Sequence, residues 1–354
     1  MKNIKNFIFI IMSFIMFLTN HTTTFASDIQ ANGTNRIIYN NGYSFEIKET
    51  VDKNNNIIRT YQNNKNELMS LSNDYSVTRS LLVSLGMDKD YVNELTMDTL
   101  KEFSEGEQIV VTTSYSKIDK NNNKTYLDEE TALKESAILK EQQHIIKMNN
   151  AFEKENYADY SDIFKDSYMK LTYAVTYKSN GSYLYSVDST WLTMPFFRGY
   201  DSIGSCAMNG TVTNSTRSGY YKYDATYINN GTGGTVTYDK NKKVNITKFK
   251  NAIKGNWYGS VGIFNLPNDI NNSYATTFYE NIRAHYQYQG HVTSPSEARW
   301  FNTVASYDHA TIAITIDTPS IGIDLNGEVS ASIGLAITGS KDTRSVELEI
   351  HYIP

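Results

Sequence analysis

Ile282, Ala284, Tyr286 and Tyr288 alternate with Arg283, His285, Gln287 and Gln289. A period of two places successive side chains on opposite faces of a strand, so this segment has one face suited to a core and one suited to polar contacts. The same pattern recurs from about residue 168 to the C-terminus. Tyr173–Tyr177 and Tyr183–Val187 flank Asn180-Gly181, a pair suited to a tight hairpin turn. Tyr221–Ile228 and Thr235–Tyr238 flank a glycine-rich turn, and Ile312–Ile316, Ile321–Leu325, Val329–Ile337 and Val346–Tyr352 continue the series. Thr318-Pro319 and Asn326-Gly327 are read as turns between those later pieces. Regularly spaced short strands of this kind predict a Tyr-rich antiparallel β-sandwich over residues 166–354.

The first half has mixed periods. Tyr43–Val51 alternates, Asp52-Lys53-Asn54-Asn55-Asn56 turns the chain, and Ile57–Tyr61 returns. Leu81, Leu82 and Leu85 then mark a short helix stopped by Gly86. Tyr91, Val92 and Leu95 mark a second helix, and Thr96 caps a third carrying Met97, Leu100 and Phe103. Gln108–Ile118 is a strand. Asp128 opens a helical stretch from Glu129 to about Glu155, free of Gly and Pro, with Leu133, Ala137, Ile138, Ile145, Met148 and Phe152 along one side. The expected fold class is α+β: a small mixed region over 27–127, a long linking helix within 128–165, and the sandwich.

Residues 1–26 have the order of a secretory leader. Lys2 and Lys5 precede an apolar run from Phe7 to Leu18, and Thr24 and Ala26 provide the small residues of a cleavage site before Ser27. The run is shorter than the roughly 20 residues a spanning helix needs. No cysteine precedes Ser27, and the end of the chain alternates like a strand, so release into the medium is expected. Abundant Asn, Lys, Ile and Tyr fit AT-rich coding in a Gram-positive bacterium. The single cysteine, Cys206, leaves no intramolecular disulfide. The chain carries 33 basic and 38 acidic side chains, for a net charge of −5. That balance opposes a nucleic-acid partner and a polybasic grip on lipid.

Chemistry-bearing motifs are sparse. The turns at 52–56 and 119–123 partly match a calcium loop. However, Lys124 stands where the second copy needs Gly, and Asn63 where the first needs a bidentate carboxylate. His285, His291 and His309, with Asp308 and Glu297, lack fixed zinc-ligand spacing. Neither Ser202, between Gly199 and Gly204, nor Cys206 sits in a nucleophile motif. No catalytic residue, metal site or cofactor is therefore expected. The candidate binding segment is Trp191 to Asp201. Trp191, Phe196, Phe197 and Tyr200 could stack on sugar rings, and Arg198 and Asp201 could bond hydroxyls, unless these residues close one end of the sandwich. The alternation between 311 and 338 would also suit a membrane-inserting hairpin. The expected function is an extracellular binding or interaction protein with a glycan or cell-surface ligand. The alternatives are a secreted pore-forming toxin and a metal-dependent hydrolase.

Overall fold

The computed structural model describes residues 34–40, 42–63, 75–119, 123–153, 166–178, 180–194, 200–229, 235–271, 274–291, 300–310, 316–322, 332–337 and 341–351. The expected leader, Ile314 and the Asn326-Gly327 turn lie outside them.

The larger sheet is antiparallel and runs through both halves of the chain. Its order is β1 (Thr34–Asn40), β2 (Tyr43–Val51), β3 (Ile57–Gln62), β4 (Gln108–Ile118), β6 (Ser167–Tyr177), β7 (Ser182–Trp191), β14 (Ala275–His291), β9 (Thr213–Asn229) and β10 (Val236–Asn245). Short strands β5 (Lys124–Leu127) and β13 (Ile270–Asn271) pair with β4 and β14. A second antiparallel sheet has the order β11 (Lys248–Lys254), β12 (Trp257–Asn265), β8 (Tyr200–Met208), β15 (Trp300–Ala310) and β18 (Lys341–His351).

This arrangement corrects the expected α+β class: the protein is mostly β. β3 pairs with β4, and β4 pairs with β6 along its whole length, from Gln108↔Tyr177 to Ile118↔Ser167. Strands expected in a separate small region are thus continuous with those expected in a sandwich. The helix Glu129–Glu153 does not link two bodies either, since the strands on either side of it, β5 and β6, both pair with β4 in this one sheet. Period-two patterns identify strands but not their partners, so sequence pattern could not show that the sheet continues across the helix.

Its docking face also differs from the expected one. Leu133 and Ile138 are exposed, while Ala132, Ser136, Gln143 and Lys147 are buried. The Gln143 amide donates to the Met194 carbonyl at 3.2 Å and accepts from the Met194 N–H at 2.9 Å. Lys147 Nζ donates to the Tyr279 carbonyl and pairs with Asp269. The helix is held by polar contacts to backbone, which an apolar stripe does not reveal.

The two sheets pack face to face over a core rich in tyrosine, including Tyr173, Tyr185, Tyr286, Tyr288 and Tyr307. Buried phenols need partners. Tyr173 Oη meets Thr303 Oγ1, Tyr286 Oη donates to Ser260 Oγ at 2.6 Å, and Tyr288 Oη donates to the Ser205 carbonyl at 3.0 Å. The facing sheet supplies small residues there. A Cβ on Gly262 would press on Ile246 and the Tyr286 ring, each at 3.1 Å.

The other face of the larger sheet is covered by helices α1 (Tyr75–Ser84), α2 (Lys89–Glu94) and α3 (Met97–Ser104). Leu81, Leu82, Leu85, Val92, Leu100 and Phe103 pack with Ile109, Val111, Ala174 and Leu184 of the sheet. Asp88 and Thr96 cap α2 and α3. Gly86 takes φ +99°, the left-handed turn that ends α1. A separate hairpin pairs Ile316–Gly322 with Ser332–Ile337. Thr318-Pro319, read as a turn, lies within the first of these strands, where a two-stranded ribbon tolerates a residue without an N–H.

Candidate functional site

The helical insert does not cover the sheet uniformly. Beneath α1 and α3 the covered face is apolar. Beneath the outer edge of α2 it becomes polar, and four side chains there form a hydrogen-bonded chain. Asp188 on β7 and His285 on β14 are direct cross-strand neighbours. Asp188 Oδ1 lies 2.9 Å from His285 Nδ1, His285 Nε2 lies 3.1 Å from Tyr91 Oη, and Tyr91 Oη lies 3.1 Å from Ser186 Oγ. The Tyr91 ring lies over the imidazole at 4.1 Å with an interplanar angle of 32°.

With Asp188 ionised and the imidazole neutral, the donor order is fixed, because a carboxylate only accepts. The proton then sits on His285 Nδ1, Nε2 accepts from the Tyr91 hydroxyl, and Tyr91 accepts from Ser186. Burial pushes the Asp188 carboxyl up, against the opposing pull of His285. Burial, followed by the Asp188 charge, pushes the Tyr91 phenol well above its ordinary range, so it remains protonated. All four groups are buried. The chain fixes α2 against the sheet and presents one edge of the imidazole to a cleft.

Ion pairs tie α2 down around this chain. Glu94 pairs with Lys222 and, at 3.7 Å, with Lys243, while Arg283 pairs with Asp90 at 3.0 Å and Asp88 at 3.8 Å. Beside them lies a cavity of about 400 Å³. It is lined by His285 and Gln287 of β14, by Glu94, Leu95, Thr96 and Thr99 of the insert, by Arg217 and Tyr220 of β9, and by Phe249 of β11. An adjoining recess shares Tyr91, Glu94, Tyr220 and His285 and reaches Asp188. Three buried polar atoms around these spaces have no hydrogen-bond partner among the described residues: Gln287 Oε1, Arg217 Nε and Asp188 Oδ2.

The residues expected to bind ligand are placed elsewhere. Trp191 is 1 % exposed and Asp201 is fully buried, both between the two sheets. Trp191 Nε1 donates to Tyr307 Oη at 3.1 Å, and Asp201 accepts from Tyr307 Oη and, at 2.8 Å, pairs with His309 Nδ1. Tyr200 is half-buried, with Lys248 Nζ 5.8 Å from its ring centre. Phe196, Phe197 and Arg198 lie outside the described residues.

The histidines considered together for zinc stand apart. His285 lies under the insert, His309 between the sheets, and His291 is exposed at the end of β14. Among the described residues, no group of three or more His, Cys, Asp or Glu side chains could share a metal ion. Asp52 and Asp119 each turn their carboxylates inward: Asp52 Oδ1 accepts from the Asn54 and Asn56 N–H groups, and Asp119 Oδ1 from the Asn123 N–H. Burial pushes the Cys206 thiol up, which makes it a poor nucleophile.

Sequence reasoning missed the cleft. His285 was legible as a polar-face residue, but its partner Asp188 lies 97 positions earlier and Tyr91 lies 194 positions earlier. The one usable signal was an acid, Asp188, directly after the strongly apolar run Tyr183–Val187.

No protein-family model matches this chain, and no curated protein matches it. Among solved structures, one titled "AvmM Catalyzes Macrocyclization in Alchivemycin A Biosynthesis" is similar over 49 % of this chain and 82 % of its own. The identity is 7 % and the TM-score 0.20.

Proposed function

We propose that this protein is an exported binding protein whose ligand occupies the cavity between the helical insert and strands β9 and β14. The observation that carries the reading is the cavity wall itself. About 400 Å³ of space is lined by polar side chains of the insert and the sheet, among them Thr96, Thr99, Arg217 and Gln287, beside the half-buried rings of Tyr220 and Phe249. The volume falls within the roughly 300–1,000 Å³ of small-molecule sites. Ion pairs on α2 hold one wall in place before any ligand arrives, which lowers the ordering cost of binding. Export rests on the basic, apolar and small-residue order of the first 26 residues.

A thermal-shift screen with amino acids, short peptides, saccharides and nucleosides tests this reading. At least one class should raise the melting temperature saturably, and the Gln287→Ala/Arg217→Ala double variant should lose that response. Stabilisation of about 2.7 kcal/mol is expected at a hundredfold excess over Kd. No response from any class, or a response that survives in the double variant, contradicts it.

A further inference from the structure

We propose that the hairpin of β16 (Ile316–Gly322) and β17 (Ser332–Ile337) enters a lipid bilayer as one share of a β-barrel built from several copies of the chain, an inference independent of the cleft. The register of the hairpin sorts its residues into two kinds of pair. Ile316↔Ile337, Pro319↔Leu335 and Ile321↔Ile333 are apolar, whereas Thr318↔Ala336, Ser320↔Gly334 and Gly322↔Ser332 are small and mostly polar. Past the one irregularity, between Ile316 and Thr318, the two kinds alternate, so apolar pairs share one face and small pairs the other. Thr318-Pro319 stands inside β16 and does not end it. The first alternating run is therefore not cut at Pro319, and in sequence it extends over 312–325, with the second over 329–337. Both reach the roughly 9–11 residues that a tilted spanning strand needs.

Charge separates this hairpin from an ordinary surface ribbon. Charged residues make up 20 % of the chain, yet between residues 311 and 340 the only ones are Asp317, at the irregularity, and Asp324 and Glu328, beside Asn326-Gly327. Soluble proteins guard exposed strand edges with charge, above all lysine. Among the described residues, β10 ends the larger sheet and carries Lys240, Lys242 and Lys243. β16 and β17 are both edges of a two-stranded sheet and carry no lysine or arginine. Hydrocarbon asks for that choice: an uncharged apolar face toward lipid and a small polar face toward a water-filled lumen. Two strands alone would leave backbone N–H and C=O groups unpaired in lipid, so insertion requires a closed ring. The smallest such barrels have about eight strands, which takes about four copies or more. In the folded chain the hairpin lies against β8, β11 and β15 of the second sheet. It is strung between Ala310 and Lys341, the end pair of β15 and β18, so its release leaves the pairing of those strands intact.

Release of carboxyfluorescein from phosphatidylcholine vesicles, with and without cholesterol, is the test. The exported chain at micromolar concentration should empty at least one of the two, at a rate that rises more steeply than linearly with protein concentration, as assembly of several copies requires. Ile333→Asp puts a carboxylate on the apolar face and should slow release about tenfold. Ser332→Lys changes the other face. It should keep release, and in planar bilayers it should shift the ion preference of the channel toward anions. Circular dichroism melting checks that each variant is folded, and the Ser332→Lys result decides the matter if Ile333→Asp does not fold. No release from either composition, undiminished release by a folded Ile333→Asp variant, or an ion preference unmoved by Ser332→Lys overturns the inference.

Discussion

Asp201 illustrates how a residue that looks like a ligand contact can belong to the core. Its segment is dense in aromatics, and the sequence alone left open both an exposed platform and a packed end of a sandwich. The structure places Trp191 and Asp201 between the sheets, where the carboxylate serves two donors, Tyr307 and His309. Asp201→Ala would leave both donors buried without that acceptor. It should lower unfolding free energy by about 2–5 kcal/mol in urea denaturation. Wild-type stability in this variant would show that the network contributes nothing to the fold. The Trp191 indole was legible as a large apolar group, but its donation to Tyr307 was not, because the two lie 116 residues apart.

At the scale of elements, the long helix carries the sharpest lesson. Its limits were close to legible, since Asp128 opens it and no Gly or Pro interrupts it. Its docking face was not, because small and polar residues make the buried contacts while Leu133 and Ile138 face solvent. Near its C-terminal half, His144 Nδ1 lies 3.1 Å from Glu280 Oε2. That hydrogen bond and the carboxylate charge raise the His144 pKa above the ordinary 6.5, against the effect of burial. The folded state therefore binds the proton more tightly than the unfolded chain. The added stability is fully present below about pH 6.5 and is lost as pH rises through the higher folded-state pKa. Because the imidazole is nearly half exposed, the contribution should be below about 1 kcal/mol. A proton NMR titration should give His144 a pKa above 6.5, and Glu280→Gln should bring it down. A value at or below 6.5 in the unaltered protein would contradict the pairing.

At the scale of the whole molecule, one continuous sheet carries a helical insert on one face and a second sheet on the other. Many strands of the larger sheet were legible from alternation, as Ile282–Gln289 shows, but β8, β11, β12 and β15, four of the five strands of the second sheet, were not read from the sequence. The single sheet was not, because β4 and β6 pair across a helix that sequence pattern treats as a boundary. The cleft depends on that continuity: β7 and β14 provide Asp188 and His285, while the insert, lying between β3 and β4 in the chain, provides Tyr91. The most direct measurement is a double-mutant cycle with Tyr91→Phe, His285→Ala and the pair, each followed by urea denaturation. Tyr91→Phe keeps the ring over the imidazole and removes only the hydroxyl that meets His285 Nε2 at 3.1 Å. If the insert is docked on the sheet through this contact, the two substitutions should be coupled by about 0.5–3 kcal/mol. Effects that add to within about 0.3 kcal/mol would mean that Tyr91 and His285 do not meet, and that the cleft is not formed as described.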